Sequence, residues 1–141
     1  MAFTGNWACN SFKTGLMNGT FNFTSGSFYI ALYTNAASLD ANTTAYTTTG
    51  EVVASGYTAG GLALTIAQAP TTGVSGNTAY ISFSNAVWNA ALTARGALIY
   101  QATTGNPAVC VLDFGSDKTS NATFTVQFPS ITNTSAIIRI S

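Results

Sequence analysis

The chain has 141 residues, enough for one domain with its own core, and only 6% of them are charged. Four basic and four acidic side chains give a net charge of zero, which excludes electrostatic capture of nucleic acid and a polybasic membrane anchor. The absence of histidine excludes a histidine general base and a histidine-ligated zinc site.

The N-terminal segment, residues 1–26, contains the helix that the sequence predicts. Ala8, Phe12 and Leu16 recur every four residues and would form one apolar face of a helix between residues 7 and 18. The segment carries more aromatic side chains than one short helix needs. We therefore expect it to pack on the rest of the domain or on a neighbouring subunit.

From residue 27 onward the pattern is that of short strands separated by turns. Apolar residues alternate at period two, and Gly, Asn, Pro and Ser punctuate the runs. Together these features predict a mostly β fold, a single β-sandwich or jelly-roll-like domain over residues 1–141 with about seven strands. The predicted strands are 27–34, 62–69 (ended by Pro70), 79–83, 92–100, 108–114, 122–128 and 136–141.

Residues 35–49 form a polar, threonine-rich stretch without periodicity between two predicted strands. Connections of this length usually contact something, so we expect the stretch to reach a neighbouring protein. Tyr46, near its end, and Tyr57, beyond it, are candidate partner contacts. Trp7 and Phe3 are two further candidates in the N-terminal segment.

Arg95 and Asp113 are charged residues inside two apolar strands that are predicted to form a hairpin. An isolated charge in such a strand costs several kcal/mol, so each side chain needs a partner. We predict a buried ion pair between them with a structural role.

Little in the sequence favours catalysis or a bound cofactor. The four carboxylates are scattered along the chain, and Gly60-Gly61 lacks the lysine and the spacing of a phosphate-binding loop. Asp113, Ser116 and Asp117 offer oxygen ligands for Ca²⁺, but a tight turn with an exposed Asp117–Lys118 pair explains them better. We therefore predict a protein that is not an enzyme and that has no metal and no cofactor.

The low charge favours a subunit of a larger assembly. From Val52 to Ala94 the chain carries no charged side chain over 43 residues, so large surfaces can be covered without desolvating ions.

The first residues lack the basic and apolar regions of an export signal. Cys9 and Cys110 are expected to be buried free thiols, although an oxidised pair is an alternative.

Several stretches resemble small structural proteins of tailed bacteriophages and prophages, in this order along the chain. They are FYIALYT (28–34), AYTTTGEVVASGYTAGG (45–61), ARGALIY (94–100), VLDFGSDK (111–118), FTVQFP (124–129) and AIIRI (136–140).

The resemblance implies a virion protein that is made in the bacterial cytoplasm and has no catalytic residues. Two positions in the particle compete. The first is a capsid decoration (cement) protein, a homo-oligomer and often a trimer, that binds neighbouring major capsid proteins. The second is a tail-associated or fibre module that binds a host surface glycan. The compact length and the absence of a repetitive or coiled-coil stretch favour the capsid.

Overall fold

The computed structural model describes residues 3–74 and 76–141, so Met1 and Ala2 of the predicted N-terminal segment and Ser75 of a predicted turn lie outside it. Within the described residues the prediction of a mostly β chain with one short helix is confirmed. The elements are β1 (Trp7–Ala8), α1 (Asn10–Asn18), β2 (Phe28–Tyr33), β3 (Leu62–Leu64), β4 (Ile66–Thr71), β5 (Ala79–Phe83), β6 (Ala86–Trp88), β7 (Thr93–Gln101), β8 (Ala108–Thr119), β9 (Phe124–Val126) and β10 (Ile138–Ile140).

The described strands form antiparallel sheets of five, three and two strands. The five-stranded sheet has the order β1-β8-β7-β2-β3, the three-stranded sheet β10-β5-β4, and the two-stranded sheet β6-β9. The predicted hairpin between residues 92–100 and 108–114 is present as β7 and β8. Buried side chains from all of these sheets belong to one contiguous apolar core.

The helix is shorter than predicted, and Phe12 is the one expected core position that is buried. Trp7 and Ala8 pair with β8, so α1 begins only at Asn10. Phe12 and Gly15 are its buried residues, whereas the expected core positions Ala8 and Leu16 are exposed. Gly15 is required there because a Cβ would lie 2.3 Å from the ring of Phe21.

The predicted strand 62–69, ended by Pro70, differs from the structure in two ways. The apolar run 62–69 is not one strand, because β3 and β4 belong to different sheets and separate at Thr65. Pro70 lies inside β4 and does not end it. This is tolerated because β4 is an edge strand, where the missing N–H of a proline disrupts no second ladder.

Strand β8 continues to Thr119 through residues that were predicted to be a loop. The partners of Ala94 and Gly96 on β8 are Lys118 and Asp113, so four residues of β8 stand opposite Arg95 alone. Gly115, with φ +82°, supplies the left-handed conformation within this wide bulge.

The polar stretch 35–49 packs on its own chain, and its contact with a neighbouring protein stays a prediction. The backbone N–H of Asn10 donates to the carbonyl of Ala41 at 2.7 Å, and the N–H of Ala108 donates to the carbonyl of Thr44 at 2.9 Å. Ala37 and Leu39 are buried in the core. Internal backbone hydrogen bonds and apolar burial therefore fix this connection in place.

The N-terminal segment also packs on its own chain. The ring of Phe23 stacks on Phe28 of β2 with centroids 4.5 Å apart, and the ring of Phe12 meets Phe21 edge-on at 5.2 Å. These aromatic contacts account for the excess of apolar side chains in the segment.

Candidate functional site

Phe3 is not a surface contact, contrary to the prediction. Its side chain is only 5% exposed, and its ring lies 5.6 Å from the guanidinium carbon of Arg95. A Cβ on Gly96 of β7 would collide with the same ring. The ring of Phe3 therefore covers β7 inside the described chain.

Tyr46 and Tyr57 are half-buried, and their hydroxyl groups point to Glu51. The Tyr46 hydroxyl donates to Oε1 of Glu51 at 2.6 Å, and the Tyr57 hydroxyl donates to Oε2 at 2.7 Å. Their polar ends are thus occupied inside the molecule. The structure gives these hydroxyls a role in holding Glu51, and contact of the two rings with a partner stays a prediction.

Glu51 is a buried carboxylate, 7% exposed, that the sequence analysis did not single out. The backbone N–H of Gly60 supplies a third donor to Oε2 at 2.8 Å. Both oxygens are therefore bound, and hydrogen bonds from neutral donors stabilise the carboxylate. The signal that could have found it is its isolation, because it is the single charged residue between Asp40 and Arg95.

Two more tyrosines surround this carboxylate, and we call Glu51, Tyr33, Tyr46, Tyr57 and Tyr100 the Glu51 cluster. The Tyr100 hydroxyl donates to the carbonyl of Gly60 at 2.7 Å, and that of Tyr33 donates to the carbonyl of Thr47 at 2.6 Å. Burial, and then the neighbouring Glu51, raise the pKa of Tyr100 to about 12. Burial is also the main cause that raises the pKa of each of the other three tyrosines.

The Glu51 cluster ties residues 46–60 to the five-stranded sheet. Glu51 itself forms an isolated bridge with Tyr33, and the Tyr57 hydroxyl also accepts a hydrogen bond from the N–H of Leu32 at 2.8 Å. Because both of its oxygens accept hydrogen bonds from these residues, the carboxylate has a structural role in the fold.

Arg95 and Asp113 are brought together at the wide bulge of β8, where Nη1 of Arg95 donates to Oδ1 of Asp113. The two side chains are 15% and 12% exposed, so the pair lies at the border of the core and is less buried than predicted. The same Oδ1 accepts the N–H of Gly115 at 2.8 Å. The pair therefore fixes both the bulge and the β7–β8 hairpin.

The other candidates for ligand chemistry are dispersed. Ser116 and Asp117 are exposed within the bulge of β8 and not in a tight turn. Among residues 3–74 and 76–141 no three His, Cys, Asp or Glu side chains group as a metal site requires. Cys9 and Cys110 are buried free thiols, and burial raises the pKa of Cys9 to about 12 and that of Cys110 further.

Trp7 is the predicted partner contact that the structure leaves on the surface, with 40% of its side chain exposed. It lines a groove of about 270 Å³ against β10. A second groove of about 320 Å³ lies against β10 and α1, and exposed Leu16 lines it. Ile138 and Ile140 line both grooves, and Ile140 is 52% exposed. We call Trp7, Leu16, Ile138 and Ile140 the β10 patch.

No protein-family model, no curated protein and no solved structure matches this chain. In the part of the chain that the structure describes, no helix has the length and apolar character to cross a membrane.

Proposed function

We propose that the protein is a structural component of a tailed-bacteriophage virion, a decoration protein that binds neighbouring major capsid proteins. The β10 patch is the observation that carries this proposal. It places exposed apolar side chains from β1, α1 and β10 around two adjoining grooves. Grouped apolar side chains on a surface are typical of a protein contact.

The charge distribution supports a contact that is made with protein. Among the described residues that line the two grooves, Arg139 alone is charged, and its guanidinium already donates to the carbonyl of Thr134 at 2.6 Å. Covering the β10 patch therefore desolvates few ions, which favours a close-packed interface.

The sequence resemblance favours a virion as the assembly to which the subunit belongs. In this proposal the subunits form a homo-oligomer, with a trimer favoured, and each subunit uses the β10 patch to bridge capsid proteins. A protein that binds only the assembled shell stabilises it by mass action. The polypeptide needs no catalytic residue for this function.

Removal of apolar side chains from the β10 patch tests the proposal. We expect Trp7→Ser combined with Ile140→Ser to weaken binding to capsids stripped of the protein. Partial burial of two such side chains contributes about 2 kcal/mol, which corresponds to a roughly thirtyfold loss of affinity. Co-sedimentation with stripped capsids measures the affinity, and far-UV circular dichroism checks that the variant is folded.

Val53→Ser is the matched control, because Val53 is almost fully exposed and lines neither groove. We expect it to bind capsids as the unmodified protein does. Unchanged capsid binding by the Trp7→Ser, Ile140→Ser variant would contradict the proposal. Particles that lack the protein, have normal heat stability and no longer attach to cells would instead support the tail-adhesin alternative.

A further inference from the structure

A cleft of about 770 Å³ opens between β8 and β9, away from the β10 patch. These strands follow each other in the chain but do not pair, because β8 pairs with β7 and β1 whereas β9 pairs with β6. The lining consists of Phe114 and the unbroken run from Lys118 to Gln127. The cleft is thus a space between two diverging strands.

The unbroken run shows that the cleft follows the edge of β9. Side chains on a strand alternate between its two faces, so a cavity over one face would contact every second residue. This cavity is lined by each residue from Phe124 to Gln127. Among the described strands, β6 alone pairs with β9. The other edge of β9 therefore presents backbone donors and acceptors to the cleft.

The opposite wall of the cleft is built by the wide bulge of β8. The bulge releases Phe114 from the β7–β8 ladder, and its ring lies 6.2 Å from the ring of Phe124. A bulged strand offers an irregular ladder, so an incoming strand pairs better with β9 than with β8. Phe114 then provides an apolar wall for one side of that strand.

We propose that this cleft binds an extended, uncharged peptide segment of a partner protein, which adds to β9 as a third strand of the β6–β9 sheet. Of the lining residues that the structure describes, Lys118 alone is charged, and the other polar side chains carry hydroxyl or amide groups. A segment with few charges complements this wall, and its backbone pairs with the free edge. On the proposed function, the partner is the capsid protein, and the segment supplements contact at the β10 patch.

The test uses the isolated protein and a probe peptide, acetyl-Thr-Val-Thr-Val-Thr-amide. We expect the peptide to shift the backbone amide NMR resonances from Lys118 to Gln127. Ala122 is exposed and lines the cleft, so Ala122→Trp should fill it and weaken peptide binding by roughly tenfold or more. Gln127→Trp fills the other end of the lining and serves as a second variant if the first one melts early.

Ala36→Trp is the matched control, because Ala36 is exposed and lies outside the cleft lining. It should bind the peptide as the unmodified protein does. The proposal is overturned if millimolar peptide causes no shift in the run, if the cleft-filling variants bind the peptide normally, or if maltotriose causes the shifts and the peptide does not. The last result would assign the cleft to a saccharide.

Binding to stripped capsids separates this inference from the proposed function on which it rests. We expect Ala122→Trp to bind capsids more weakly than Ala36→Trp. If both bind capsids equally, the cleft does not take the capsid segment and the inference fails while the function stands. If the peptide binds in the cleft but the unmodified protein binds no capsids, the function fails while the peptide site stands.

Discussion

Replacement of Glu51 measures how strongly the Glu51 cluster fastens residues 46–60 to the sheet. In Glu51→Leu, the hydroxyls of Tyr46 and Tyr57 and the N–H of Gly60 lose their acceptor. A buried donor without an acceptor costs about 1–3 kcal/mol, and half-buried Tyr46 can turn to water. We expect the free energy of unfolding to fall by about 4 kcal/mol.

Glu51→Gln should be much milder, because the amide retains the shape of the side chain. Its oxygen can accept from Tyr57 and Gly60, and its NH₂ can donate to the Tyr46 hydroxyl, which then acts as acceptor. The variant loses only the extra stability that the negative charge gives these hydrogen bonds. The lower cost of burying a neutral group offsets part of that loss. We expect a decrease of about 1–2 kcal/mol.

Urea unfolding followed by tryptophan fluorescence gives both values from the shift in midpoint at constant slope. Asp117→Asn is the control for loss of a carboxylate, since Asp117 is exposed and should change stability by no more than about 0.5 kcal/mol. Equal, small effects of Glu51→Leu and Glu51→Gln would contradict this prediction, because they would mean that the three donors do not depend on the carboxylate.

Three further predictions concern charge and proton equilibria. Arg95→Met should lower the free energy of unfolding by about 1–3 kcal/mol. In a double-mutant cycle, Arg95→Met combined with Asp113→Leu should cost less than the sum of the two single changes, and additive costs would mean that the two residues are not coupled. The raised tyrosine pKa values predict that stability is intact below pH 10 and falls between pH 10 and 12, because the unfolded state releases tyrosine protons first. Urea midpoints at pH 9, 10 and 11 measure this fall, and an unchanged midpoint would contradict it. Cys9 and Cys110, buried and with raised pKa values, should react with a thiol reagent at pH 8 only when the protein unfolds, and rapid labelling of the native protein would show that they are accessible.

The sequence predicts a strand correctly when all the residues of its apolar pattern belong to the same sheet. The hairpin of β7 and β8 is an example, because two long apolar runs flank a short turn, and β5 has the predicted bounds 79–83. The run 62–69 fails for the opposite reason. Its alternation continues through Thr65, but tertiary packing assigns the two halves to different sheets. Local periodicity carries no information about that division.

The candidate site was less predictable because its partners are distant in sequence. The burial of Phe3 depends on Arg95, 92 positions away, and the exposure of Ile140 depends on how β10 lies beside β1. Gly115 follows the predicted strand 108–114, yet it lies in a bulge that lengthens β8. The Arg95–Asp113 contact could be predicted because both residues interrupt apolar strands that were already expected to pair.

A reconstruction of the intact virion whose genome encodes this chain tests the proposed function most directly. We predict density for the subunit repeated over the whole shell, at the junctions between capsid proteins, with Trp7 and Ile140 at the contact. Density confined to the tail, or a shell in which the β10 patch faces solvent in every copy, would contradict it.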